Sequence, residues 1–184
     1  MIKQPVFFIT ASSPWGELWL CTTERGICYL SFGATDGAFS FLARQGIEKP
    51  QAGERPWLTA AQEQLAAYFA GSEREFGLPL DLRGTPFQRA VWIALLQIPY
   101  GETRTYGEIA AAVGRPAAAR AVGQAVGANP VSIIVPCHRV LGAGGTLTGY
   151  GGGLQRKRGL LQLEHAAFQG EMLFGDANSL TANR

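Results

Sequence analysis

Residues 105–140, TYGEIAAAVGRPAAARAVGQAVGANPVSIIVPCHRV, hold the punctuation from which the rest of the chain is read. Thr105-Tyr106-Gly107-Glu108 is a capping box: the threonine side chain serves the third backbone N–H, and the glutamate reaches back. It opens a short helix that closes near Gly114. Arg115-Pro116 starts a further helix, AAARAVGQAV, ending at Gly127 with Pro130 just beyond. Two short helices joined by a three-residue turn are either a helix-turn-helix or an ordinary helical hairpin. The second helix is nearly bare: Ala117, Ala118, Ala119, Ala121, Gly123 and Ala125 leave Arg120 and Gln124 projecting. Such a surface can enter a narrow groove and insert its arginine into a base stack. It can equally pack tightly on another helix.

After Asn129-Pro130, the apolar run Val131–Val135 reads as a strand delivering a Pro136-Cys137-His138-Arg139 turn. A cysteine followed at once by histidine and arginine is set to ionise more readily than a free thiol. Adjacent side chains in an extended segment point to opposite faces, so Cys137 and His138 need a bridging water or a sharp turn to communicate. Glu164, three and four residues past Leu161 and Leu160, shares the inward face of a helix over 154–165. It is either a carboxylate capping the core edge or the group that orients His138. His165 falls at that helix's surface. Arg156-Lys157-Arg158 reads as a solvated face, with phosphate contact as the alternative. Gly149-Tyr150-Gly151-Gly152-Gly153 lacks the phosphate-loop pattern and fits close backbone approach to a ligand, with Tyr150 as a wall.

Working outward, Thr85-Pro86-Phe87-Gln88 is another capping box, followed by the apolar face Phe87, Val91, Leu95 and Ile98 up to Pro99. Residues 5–11, 17–22 and 27–32 are short apolar runs set off by Ser13-Pro14, Gly16 and Gly26, as in a strand meander. Residues 58–70 have helical spacing through Leu58, Ala61, Leu65, Tyr68 and Phe69, and no chemistry is evident there. The expected fold is α+β: residues 1–84 a sheet-plus-helix domain, residues 85–170 a mostly helical domain with the helix-turn-helix and the cysteine turn, and 171–184 a flexible tail.

Composition narrows the class. At 184 residues and 47% hydrophobic, the chain can bury a core without disulfide or metal staples. It has no membrane-length apolar run, and the opening MIKQPVFFITASS is not organised as a secretory signal. Three cysteines, Cys21, Cys28 and Cys137, make neither a CxxC pair nor an even framework, which fits a reducing cytoplasm. Cys21 and Cys28 read as small strand hydrophobes, and with no histidine in the first half no metal site is expected. Residues 1–84 carry seven Lys+Arg against nine Asp+Glu, and residues 85–184 nine against five, so the helix-turn-helix lies in the basic half.

The ordered set TYGEIA (105–110), RAVG (120–123), NP (129–130), PCHRV (136–140), TGYGGG (148–153) and LLQLE (160–164) resembles the O-6-alkylguanine-DNA alkyltransferases. These are also called methylated-DNA–protein-cysteine methyltransferases. SPWGELWL (13–20) is similar, more weakly, to that family's N-terminal, ribonuclease-H-like domain. The resemblance implies irreversible, single-turnover transfer of an alkyl group from guanine O6, and also thymine O4, to Cys137, with no organic cofactor. It implies a monomer bound to the minor groove of double-stranded DNA containing O-6-alkylguanine. In its terms Arg120 fills the gap left by a flipped base, with Ala121 and Gly123 against the groove. Tyr106 helps rotate the nucleotide and protonates the leaving guanine. Asn129 holds the recognition helix to the active-site strand. The Val140 and Cys137 carbonyls, Tyr150 and the Gly151 N–H line the base pocket, and His138 acts through water with Glu164 orienting it.

Three other readings compete. A non-catalytic lesion-binding relative lacks the acceptor cysteine that this chain keeps. A helix-turn-helix regulator needs more base-reading side chains, and a cysteine hydrolase needs an oxyanion hole and turnover.

Overall fold

The computed structural model describes residues 5–33, 35–45 and 50–168, so the tail expected at 171–184 lies outside the described residues. A meander of β1 (Phe7–Ala11), β2 (Leu18–Thr23) and β3 (Gly26–Phe32) forms the expected antiparallel core of a sheet. Helix α1 (Thr35–Arg44) follows, and a short strand β4 (Gln51–Ala52), parallel to β1, completes a sheet of order β3-β2-β1-β4. Neither α1 nor β4 has a signal in the sequence reading.

Alternation along β2 assigns its two faces, since successive strand side chains point oppositely. Leu18 and Leu20 join the main core with Leu58, Ala61, Leu65 and Tyr68 of α2 (Pro56–Phe69). Trp19 and Cys21 face the other way, packing with Val6, Cys28 and Leu42, the last from α1. Both faces are covered, which is why all of β2 is buried.

The remaining helices are α3 (Pro86–Leu95), α4 (Tyr106–Ala112), α5 (Ala119–Gly127) and α6 (Leu154–Leu163). Both predicted capping boxes are present, with Thr85 and Gln88 exchanging bonds at α3 and Thr105 and Glu108 at α4. Helix α3 stops three residues short of Ile98, because Gln97 and Ile98 bond back only three residues, to Ala94 and Leu95. The helix expected from Arg115-Pro116 starts instead at Ala119: Ala118 N–H bonds Arg115 C=O in a separate turn. The α4–α5 connection is therefore residues 113–118, not three residues. Trp92 Nε1 donates to Ala125 C=O at 2.8 Å and fixes α3 against α5.

The expected strand at 131–135 is a turn. Only Val131 pairs, in a parallel bridge with Leu30: Leu30 N–H donates to Pro130 C=O and Ser132 N–H to Leu30 C=O, both at 2.8 Å. The chain then folds on itself, with Val135 N–H bonded to Val131 C=O and Ile133 at φ 71°. Strand β3 thus lends its edge to the cysteine segment, and one core cluster runs through both halves. A parallel pair, β5 (Arg104–Thr105) with β6 (Val140–Leu141), ties the start of α4 to the residues after the cysteine turn.

Candidate active site

Cys137 opens a single 3₁₀ turn, Cys137–Arg139, whose three residues per turn send consecutive side chains out about 120° apart. Asn129 sets this turn. Its Oδ1 accepts from Val131 N–H at 3.0 Å, and its Nδ2 donates to Val135 C=O at 2.9 Å. The side chain thereby links the end of α5 to the chain entering the turn.

His138 is fully buried, and its Nε2 is 2.8 Å from Glu164 Oε1. Nδ1 has no protein partner. A carboxylate can only accept, so Nε2 carries the hydrogen and Nδ1 keeps a lone pair. Burial holds the imidazole below its usual pKa, against the pull of Glu164, so it is neutral at pH 7. Glu164, at the C-terminal cap of α6, is both a structural hub and the orienting group. Arg139 Nε donates to Oε2 at 2.8 Å and its Nη2 to Oε1 at 2.9 Å. Burial raises the Glu164 pKa, but the bonds and charges of His138 and Arg139 outweigh it and hold the carboxyl well below the usual carboxylate range.

Two readings of the cationic residues need correction. Arg139 is occupied by Glu164 and by Ile98 C=O, so it is not the charge beside the thiol. Lys157 is not on a solvated face: it is fully buried, with Nζ donating to Val140 C=O and to Thr148 C=O, the latter at 2.7 Å. Burial lowers its pKa to about 8, while Cys137 pulls the other way. Arg156 is also engaged, bonding Trp15 C=O and Gly152 C=O, and only Arg158 of the three is exposed. Burial raises the Cys137 thiol, countered by the Asn129 side chain and the Lys157 charge. The resting group is a thiol, contrary to the thiolate expected from its sequence neighbours.

Cys137 lines a cavity of about 580 Å³ together with Tyr106, Gly123, Asn129, Tyr150 and Gly151. The N-terminal half contributes Tyr29, Ser31 and Arg83 to the same space. Tyr106, the first residue of α4, also borders a neighbouring hollow shared with Arg120, Gly123 and Gly144. Arg120 and Ala121 are exposed on α5, and Gly123 brings backbone against the Tyr106 ring, with 3.8 Å to a Cβ built there. Val140 is buried, and its carbonyl, already serving Lys157, keeps a second lone pair. The Tyr150 hydroxyl is buried without a partner. His165 is exposed just beyond α6.

The first half, read as chemically silent, supplies Tyr68: its hydroxyl donates to Glu164 Oε1 at 2.7 Å from 96 residues away. Its place on the inward stripe of α2 disguised it as a packing residue. Among the described residues no group of three or more histidine, cysteine, aspartate or glutamate side chains is placed to hold a metal ion.

The chain that carries this thiol, in a cavity edged by α4 and α5, matches two family models in succession. The 6-O-methylguanine DNA methyltransferase ribonuclease-like domain matches residues 6–82, and the DNA binding domain of the same family matches 86–166. The chain belongs to the 6-O-methylguanine DNA methyltransferase family. It is 63% identical over 155 residues to the methylated-DNA–protein-cysteine methyltransferase of Mycolicibacterium paratuberculosis, covering 84% of this chain and 90% of that one. The constitutive enzyme of that name from Bacillus subtilis is 44% identical over 164 residues, covering 89% and 98%. The crystal structure of Mycobacterium tuberculosis O6-methylguanine methyltransferase superposes with a TM-score of 0.76 at 49% identity, covering 87% of this chain and 93% of that one. The structure of the Mycobacterium tuberculosis protein in complex with DNA gives 0.74 at 51% identity, covering 86% and 92%.

Proposed function

We propose that this chain repairs DNA by direct transfer of an alkyl group from guanine O6 to Cys137 Sγ, once per molecule. The observation that carries this is the shared cavity: the thiol, Tyr106 and the recognition-helix residue Gly123 face one space. A guanine atom inside a stacked duplex is out of reach of a thiol at the floor of such a cavity, so the nucleotide must be extruded, at a cost of a few kcal/mol. Helix α5, with Ala121 and Gly123 low on its surface, enters the minor groove, and Arg120 takes the place of the departed base.

The proton balance follows from the buried groups. The Cys137 thiol gives its proton through a water to His138 Nδ1, while Nε2–H stays on Glu164. Sγ then attacks the sp3 carbon of the adduct, the C–O6 bond breaks, and the electron pair goes to the guanine. Tyr106 donates a proton to the leaving base and is reprotonated by the proton released from the thiol. Tyr150, Gly151 and the carbonyls of Cys137 and Val140 hold the base, and Asn129 keeps the turn in register with α5. A stable thioether remains, so no second cycle follows and no cofactor takes part. Residues 1–84 form the supporting domain and 85–170 the acceptor and DNA-binding domain. The chain acts as a monomer on double-stranded DNA in the cytoplasm.

The test is stoichiometry. With excess duplex bearing one O6-methylguanine, methyl loss from the DNA should stop at one equivalent per protein. Continued turnover would point to a hydrolase, and DNA binding without methyl loss to a lesion-binding protein.

A further inference from the structure

Within the C-terminal half the relay ends at Glu164. In the molecule it continues into the other half. The Tyr68 hydroxyl and His138 Nε2 meet the same carboxylate oxygen, Oε1, at 2.7 and 2.8 Å. Tyr68 is fully buried, and its ring packs on Phe69, Phe76 and Tyr100 at centroid distances of 5.4, 5.3 and 6.2 Å. Those contacts account for the ring, but they leave the choice of tyrosine over phenylalanine unexplained. The hydroxyl's partner is the carboxylate that orients the base, reached from the ribonuclease-like domain.

We propose that Tyr68 is a positioning residue of the alkyl-transfer relay, fixing Glu164 Oε1 and tempering its basicity so that His138 stays neutral and accepts at Nδ1. The inference rests on the reading of Cys137 as alkyl acceptor with His138 as its base. Oε1 receives Tyr68 O–H, His138 Nε2–H and Arg139 Nη2, while Oε2 receives Arg139 Nε and, at 3.4 Å, Gly101 N–H. Tyr100 caps the surroundings by donating to Leu163 C=O. The charged or titratable groups facing His138 are Glu164, Arg139 and Lys157, and of these the Tyr68 hydroxyl bonds only Glu164. Removing one donor from Oε1 concentrates its negative charge on the His138 bond. That favours imidazolium and takes the base out of its working form.

Tyr68→Phe keeps the ring and deletes the donor. On the full chain, the His138 midpoint, followed by NMR without DNA, should rise by roughly half a pH unit. The acid limb of the single-turnover methyl-transfer rate should move up with it, so that the rate falls by up to about threefold on that limb and by less than about twofold at pH 7, with duplex affinity unchanged. A wild-type midpoint and wild-type pH profile in Tyr68→Phe, even with a lowered Tm, would reduce Tyr68 to packing and overturn the proposal. Should that variant not fold, 3-fluorotyrosine placed at position 68 alone keeps the shape and strengthens the donor. The His138 midpoint should then fall, and no movement would equally overturn the proposal. Because the midpoint is read on unreacted protein, it separates failure of this link from failure of the alkyl-transfer reading, which would show as no methyl transfer by the unaltered chain.

Discussion

Cys137 and the pair Cys21 and Cys28 are thiols of nearly equal burial, exposed by 5%, 0% and 1% respectively, in unlike surroundings. Cys28 is pushed up to about 12, by burial first and by Asp81 next, with Arg83 partly opposing. Cys21 is raised by burial and then by Cys28 itself. Cys137 is raised by burial too, but its neighbours all act downward, through the Asn129 amide and the Lys157 ammonium. Burial alone therefore does not distinguish a reactive thiol from an inert one. What distinguishes Cys137 is a cavity in front of it, a neutral base one residue away, and the Lys157 ammonium, held by backbone carbonyls, whose charge acts downward on the thiol.

Variants of these thiols and of their neighbours test that contrast. The largest effect belongs to Cys137→Ala, which should abolish methyl transfer while leaving duplex affinity within about twofold, checked by gel shift. Next is Lys157→Met, which removes the cation near the thiol and strands the carbonyls of Val140 and Thr148. Transfer should slow by about ten- to a hundredfold, the kinetic weight of a lost charged hydrogen bond, in single-turnover assays. The thiol midpoint, read by the pH dependence of haloacetamide labelling, should rise.

Acid should act on the same cluster. His138 has a folded pKa below its unfolded value, so the unfolded chain binds the extra proton and stability falls as pH drops below about 6.5. Glu164 has a folded pKa below its unfolded value as well, so its contribution, present above about pH 4.3, is lost as pH falls further. Urea melts from pH 8 to 3 should show a first decline near 6.5 that His138→Gln flattens. The smallest effect is Cys28→Ala, which should leave transfer within twofold of normal and cost about 1 kcal/mol of stability by denaturant melt.

How much of this was legible in the chain depended on the range of the interaction. Both capping boxes and the inward face of Glu164 follow from spacings within four residues, the strand meander from short apolar runs and the turns between them, and the structure contains them. The start of α5 was misplaced because proline is equally at home in the turn Arg115–Ala118 as in a first helical turn. The run Val131–Val135 has strand composition, yet only Val131 finds an edge to pair with, and the Asn129 side chain folds the rest into a turn. Lys157 looked solvated because its two neighbours are cations, and nothing local announces the carbonyls that enclose it. Tyr68 is the extreme case, since its partner is 96 residues away.

The central claim is that one of three buried thiols takes the alkyl group. After incubation with one equivalent of duplex carrying a single O6-methylguanine, peptide-mapped mass spectrometry should find one added methylene, on the peptide with Cys137. The peptides with Cys21 and Cys28 should keep their original mass. A methyl group on either of those two, or methyl lost from the DNA with no cysteine modified, would contradict the account.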